Sequence, residues 1–374
     1  MKVKTNICIL VPCLGYGGAE KQISLIAPYL KQKGYKVSVI SMIPAVAYFD
    51  VLKENDIKLY NSSFSLGKFS YNAIVEVRTI IKETNVDVLI TFNYPANILG
   101  RILKLSFLGL KIISSYRSVN FGSDFREKLI KLTAALDNKT IPNSEYAART
   151  FMNKGVITEK KCKVIPNALD LTSLNDSIFS LLDKSGLPEK CDSEFKWIIV
   201  GRFEVAKDYP TLIYAIKILK TQYKISNFKL YIIGDGRLFD EIRQLVNNLQ
   251  LNAEIKFLGN KPYVAPYLVQ ADAFVLSSAW EGMPNAVMEA MVCGLPVVST
   301  LAGGVVDLIT HGENGFLVPT KNPDNLAKAM LNMMSLSGKE RNIIGKRNKN
   351  KMTLNHGLDC VGKQWEEAIN SVVK

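Results

Sequence analysis

The sequence predicts an α/β chain of two Rossmann-like, doubly wound domains, each a mostly parallel sheet with helices on both faces. Three observations lead there. At 374 residues the chain is longer than one core usually supports, so two domains of about 150–190 residues are expected. The order apolar strand, glycine turn, amphipathic helix, strand recurs in both halves, as βαβ units require. Between the halves, TSLNDSIFSLLDKSGLPEKCDSE (172–194) loses this alternation and gains Asp, Ser, Gly and Pro, which reads as a linker. The expected limits are a first domain at 1–175, a linker at 176–194, a second domain at 195–355 and a final helix within 356–374. That helix either closes the second domain or crosses back to the first.

The first half opens on KTNICILVP, an apolar strand that turns at LGYGGAE into an amphipathic helix. Gly34 then precedes an alternating strand at Val37–Ile43. Further strands are expected at Val86–Thr91 and Lys111–Tyr116. In the second half, FKWIIVGRFEVAKDYP and FKLYIIGDGRLFDEI each read as strand, loop and helix. EIKFLGN, AFVLSS and LPVVST supply short strands, and the last helix spans about Leu358–Val373.

Composition narrows the function. With 48% hydrophobic and 22% charged residues the chain can bury a core and is not a disordered protein. Lys and Arg outnumber Asp and Glu by 47 to 34, a net charge of +13, which favours an anionic partner: nucleic acid, anionic lipid or a phosphorylated small molecule. The six cysteines are scattered without a C-x-x-C pair, so neither a zinc site nor a disulfide framework is expected, and a reduced, cytoplasmic setting fits. The basic, apolar start resembles a signal peptide, but Pro12 and the glycine turn cut it short. No apolar run reaches the roughly 18 residues of a membrane-spanning helix.

Three places carry chemistry. Gly201 ends a strand, Arg202 follows, and Lys207 precedes a helix start near Pro210; two cations beside a helix N-terminus suit a diphosphate. Gly17 and Gly18 let the backbone approach a ligand closely, whereas GDG (234–236) lacks the third glycine of a dinucleotide fingerprint. In AWEGMPNAVMEAMVCGLPVV (279–298), Glu281 lies on a loop. Pro284 and Asn285 start a helix that Gly294 stops, and Glu289 falls inside it. One carboxylate thus precedes the helix amides and one follows them, as hydroxyl acceptors flanking an anion would.

The chain resembles the GT-B glycosyltransferases of family four, the large retaining group with a Glu-x7-Glu signature. EGMPNAVME carries that signature. GGAE (17–20), NSEYAA (143–148), VIPNALD (164–170), GRFEVAKD (201–208), GDG, FLG (257–259) and GGVVDLITHGENGFLV (303–318) extend the resemblance over essentially the whole chain. It implies two domains facing a central cleft, the first binding acceptor and the second a nucleotide-sugar donor. By resemblance, Glu289 holds the ribose hydroxyls and Glu281 those of the donor sugar. Arg202 and Lys207 neutralise the diphosphate, and Gly282, Met283, Pro284 and Asn285 lend it backbone amides. Gly17 and Gly18 close over the phosphates, while Gly234, Phe257, Gly259 and Lys261 line the nucleotide. Asn143 and Asn167 match structural or cleft-facing positions. Many relatives carry a histidine after the strand KIIS, where this chain has Arg117. Arginine stays protonated and cannot act as a base, so Arg117 is expected either to bind acceptor phosphate or donor diphosphate, or to be structural.

The expected activity is retaining, metal-independent transfer from a nucleotide sugar, UDP-linked for preference, to a lipid-linked or growing cell-surface glycan in bacteria. No cofactor or metal is expected, since Arg202 and Lys207 with the helix amides meet the electrostatic demand of the leaving diphosphate, with Glu281 the third expected catalytic residue, and no Asp-x-Asp motif occurs. Between Ile98 and Thr140, eight Lys or Arg face three acids amid apolar residues, which suits peripheral contact with an anionic membrane on its cytoplasmic side. The alternatives are another GT-B enzyme such as a sugar-nucleotide epimerase, and a nucleic-acid-binding protein. The latter rests on charge alone, without a recognisable module, so nucleic acid is not an expected partner.

Overall fold

The computed structural model describes residues 5–65, 70–181 and 194–373. The chain divides into two compact units: Met1–Ala168 with His356–Lys374, and Leu169–Asn355.

The first unit carries β1 (Asn6–Cys13), α1 (Gly18–Gln32), β2 (Lys36–Ile43), α2 (Phe49–Glu54), β3 (Lys58–Asn61) and α3 (Tyr71–Glu83), followed by β4 (Val88–Phe92), α4 (Ala96–Lys104), β5 (Lys111–Tyr116), α5 (Asp124–Thr133), β6 (Lys139–Pro142) and α6 (Glu145–Asn153). Its six strands run parallel in the order β3-β2-β1-β4-β5-β6. Because crossover helices cover both faces of a parallel sheet, its central strands are buried on both sides; all five residues of β4 are buried. Ser70, Ser123 and Ser144 cap α3, α5 and α6 by accepting the Ala73, Arg126 and Ala147 amides.

The second unit carries α7 (Leu171–Leu181), β7 (Phe195–Val200), α8 (Tyr209–Thr221), β8 (Phe228–Ile233), α9 (Phe239–Asn248), β9 (Ile255–Gly259), α10 (Ala265–Leu268) and β10 (Ala273–Leu276). It continues with α11 (Asn285–Val292), β11 (Val297–Thr300), α12 (Val305–Leu308), β12 (Gly315–Val318), α13 (Pro323–Ser335) and α14 (Gly338–His356). Its parallel order is β12-β11-β10-β7-β8-β9. In both sheets the order reverses beside the first strand of the unit, and ligands of such sheets bind at the carboxyl ends of the strands near that point. One sheet face buries Trp197, Ile199, Phe203 and Leu230. The other buries Ile198, Tyr231 and Phe274 with Val287, Met288 and Met291.

Three expectations change. The stretch expected to begin the linker is helical as far as Leu181, and the unit boundary falls after Ala168 rather than at 175. Leu171 and Leu174 pack on the second core, and the Asp170 carboxylate accepts the Ser173 amide at 3.0 Å. Ser, Asn and Asp interleave with the apolar stripe of this helix, a composition that also suits a linker. Positions 182–193 of the expected linker, with Cys191, lie outside the described residues.

Second, the open choice for the last helix, α15 (Leu358–Val373), falls to the first unit. Val361, Trp365, Ala368 and Ile369 form its buried stripe, and Gly362 lets it reach α1, where a Cβ would stand 2.4 Å from the Tyr29 ring. Trp365 stacks on Phe92 at 6.0 Å, and Tyr29 donates to Glu366 Oε1 at 2.9 Å.

Third, the basic segment 98–140 is partly internal. Arg101 is wholly buried, bonded to both Asp137 oxygens and to the Tyr116 hydroxyl, and Arg117 is 8% exposed. Outside stand Arg126, Lys128 and Lys131 together with the apolar Ile102, Leu105, Leu108, Phe125 and Leu132, all exposed. Lys104 is held down by its burial and by the nearby charges of Lys161 and Lys111.

Candidate active site

The second-unit site begins where β7 ends. Gly201 accepts the Tyr209 hydroxyl at 2.7 Å, and Tyr209 stacks on Phe203. The GDG glycines explain themselves by close approach. A Cβ on Gly234 would stand 2.0 Å from the Gly201 carbonyl, and one on Gly236 2.7 Å from the Phe203 amide. Both also hold positive φ. The β7 and β8 turns are therefore packed backbone on backbone, which fixes Arg202 at the carboxyl edge of the sheet. Among the described residues none hydrogen-bonds or ion-pairs with the Arg202 guanidinium.

Lys207 ends a 3-10 turn, Val205–Lys207, that is tied to the end of β10: the Ala279 amide donates to Ala206 O and the Ser277 hydroxyl to Lys207 O, both at 2.8 Å. Lys207 Nζ lies 2.6 Å from Glu281 Oε1. The Ser278 hydroxyl donates to that same oxygen at 2.7 Å, and Thr300 donates to Ser278 O at 2.6 Å. Gly303, at φ +59°, lies against the Glu281 backbone so closely that a Cβ would meet its carbonyl at 2.0 Å. The pair is half-sheltered, with side chains 19% and 14% exposed. Tyr209 feels it too: burial, then the Glu281 charge, pushes its phenol well up.

Helix α11 opens after Pro284, which gives it no side-chain cap. Gly282, Met283 and Pro284 are buried, Asn285 is half-buried, and Gly294 takes positive φ just past the helix end. Glu289, one turn in, is 4% exposed. Its charge adds to burial in pushing the Cys293 thiol up to about 12.

The structure thus brings Lys207 and Glu281 into contact and seats Arg202, Gly234 and α11 on strand ends of the same unit. The half-buried Phe257 ring lies against Phe203 and Phe239, at 6.0 and 5.5 Å, at the edge of the core. Gly259, at φ +69°, accepts the Gly234 amide at 3.0 Å, and Lys261 lies over the Tyr267 ring.

Gly17, Gly18, Arg117 and Asn143 belong to the first unit. Gly17 is the N-cap of α1 in extended geometry, and neither it nor Gly18 has positive φ. The space of a Gly17 Cβ is taken by the Glu20 carboxylate, 2.1 Å away. Asn143 is buried and its Oδ1 has no partner among the described residues. Arg117 stands between Phe92 and Trp365, 5.2 and 5.5 Å from their ring centres. It donates to Asn167 Oδ1 at 3.0 Å and to Ile165 O at 3.3 Å. Burial lowers its pKa to about 9. Of the roles expected for Arg117, the internal contacts carry the structural one.

Sequence reasoning missed Ser278, Thr300, Gly303 and Tyr209. For Ser278 a signal existed: a serine three positions before a loop glutamate can turn back onto it. Among the described residues no group of three or more His, Cys, Asp or Glu is placed to hold a metal ion, and no helix is long and apolar enough to cross a membrane.

Residues 188–351 match the family Glycosyl transferases group 1, and residues 16–173 match Glycosyltransferase Family 4. An uncharacterized glycosyltransferase of Methanocaldococcus jannaschii is 30% identical over 298 residues, 75% of this chain and 68% of that protein. The chain belongs to the group 1 glycosyltransferases. This glycosyltransferase is also 26% identical, over 87% of its length and 89% of the relative's, to the N-acetylgalactosamine-N,N'-diacetylbacillosaminyl-diphospho-undecaprenol 4-alpha-N-acetylgalactosaminyltransferase of Campylobacter jejuni. Its structure aligns with that of Anabaena HepE in complex with UDP at a TM-score of 0.82 and 21% identity, covering 98% of this chain and 100% of that one. The two parallel sheets are those of the GT-B fold.

Proposed function

We propose that this glycosyltransferase moves a sugar from a UDP-sugar, with retention and without a metal ion, to a saccharide carried on a lipid diphosphate in bacterial surface-glycan synthesis. The observation that carries the reading is the second-unit constellation: Arg202, with no partner among the described residues, the Lys207–Glu281 pair and the start of α11, with Glu289 buried just inside it. Breaking the anomeric bond leaves a nucleoside diphosphate, and the chemistry asks chiefly for stabilisation of that charge. Arg202, Lys207 and the helix amides supply it, while Glu289 and Glu281 accept hydroxyls of ribose and sugar. UDP is the nucleotide bound in the HepE structure, and the diphospho-undecaprenol in the Campylobacter relative's name supports a lipid-linked acceptor.

The test is a thermal-shift titration with UDP and UDP-sugars, with and without EDTA. At 100 times its dissociation constant a ligand adds about 2.7 kcal/mol, or about 5–10 °C for a domain of this size. Glu289→Ala should abolish the shift and turnover, and EDTA should change neither. Turnover by Glu289→Ala equal to wild type would refute the ribose assignment, and activity lost to EDTA and restored by a divalent ion would refute metal independence.

A further inference from the structure

The ion pair in the site has a finer feature than charge. Both protein donors to Glu281 converge on one oxygen: Lys207 Nζ at 2.6 Å and the Ser278 hydroxyl at 2.7 Å both reach Oε1. A carboxylate oxygen offers about two acceptor sites, so these donors saturate it. Oε2 accepts from no described residue.

The surroundings make this arrangement stiff. Ser278 is completely buried, and Thr300 fixes its carbonyl from β11. The turn bearing Lys207 is tied to Ser277 and Ala279, the residues flanking Ser278. Gly303 packs on the Glu281 backbone with no room for a side chain. A carboxylate held at its backbone and at one oxygen has little freedom to turn about its last bond.

We infer that Ser278 is a positioning residue: with Lys207 it commits Glu281 Oε1 to the protein and leaves Oε2 as the sole acceptor for a donor-sugar hydroxyl. The inference rests on the reading of Glu281 as the sugar-facing carboxylate and sharpens it. Glu281 then cannot bridge two neighbouring hydroxyls with one oxygen each. It selects the hydroxyl that reaches Oε2, so epimers that redirect that hydroxyl are discriminated by a serine that never touches the sugar. Without the Ser278 bond, Lys207 still anchors the charge, but the carboxylate can rotate and meet either epimer.

The experiment measures dissociation constants for UDP, UDP-glucose and UDP-galactose on the full chain. It uses wild type, Ser278→Ala, Ser278→Thr, which keeps the hydroxyl, and Glu281→Gln. Ser278→Ala should hold UDP within twofold of wild type, which also reports an intact fold. Its affinity for the preferred UDP-hexose should fall about tenfold, and its ratio between the two epimers should move toward one. Ser278→Thr should restore the ratio. A merely structural serine would weaken all three ligands together or none, and either result overturns the inference. If Glu281→Gln also leaves the epimer ratio untouched, the assignment of Glu281 to the sugar fails with it. If Glu281→Gln collapses the ratio while Ser278→Ala does not, only the role of Ser278 fails.

Discussion

At the scale of single residues, two groups expected to act separately on a donor, Lys207 for phosphate and Glu281 for sugar, hold each other. Removing one partner strands the other half-sheltered. Lys207→Met should cost about 1–3 kcal/mol in a urea melt, below the figure for fully buried pairs because water screens part of the pair. Adding Glu281→Gln should recover most of the loss; a double variant that loses the sum of the two single effects would show that the pair is not coupled. This contact could not be read from the sequence, because residues 74 positions apart meet only through sheet order. The local parts were legible. The carboxylate on a loop, the helix beginning beside Pro284 and the glycine that ends it follow from turn and cap chemistry, and α11 runs Asn285–Val292 as those signals require.

Among the elements, strands were the most legible. The expected Lys111–Tyr116 matches β5 at both ends, and α15 matches Leu358–Val373, because a short segment rich in Ile and a long helical stripe are separated by length. Helix α7 has two readings because Ser, Asn and Asp fill five of its eleven positions, as many as Leu, Ile and Phe fill. Arg117 was ambiguous for a related reason: sequence shows a cation but not the rings of Phe92 and Trp365 around it, which join the end of β4 to α15. That cage predicts a cost for its loss. Arg117→Met removes the donor to Asn167 Oδ1 and Ile165 O and should lower stability by about 1–3 kcal/mol in a denaturant melt. An unchanged midpoint would remove the structural role.

For the molecule as a whole, a charge of +13 is distributed among roles that the bulk number cannot separate. Arg101 spends its charge inside on Asp137 and Arg117 inside among aromatic rings, whereas Lys104 and its cationic neighbours stand near exposed leucines at the end of α4 and on α5. We expect this first-unit surface to bind anionic membrane peripherally. The chain should sediment with vesicles containing phosphatidylglycerol at moderate salt and not with neutral ones, and Leu105→Ser with Leu108→Ser should reduce binding at least severalfold. No sedimentation with anionic vesicles would remove the membrane role. The path of the chain carries one more implication. The first unit needs α15 to cover Tyr29 and Phe92, yet α15 is made after every residue of the second unit. During synthesis the second unit, contiguous from Leu169 to Asn355, can close as it emerges, while the first must hold an uncovered apolar face until α15 has followed. Nascent chains stalled before Leu358 should therefore be the ones that chaperones hold.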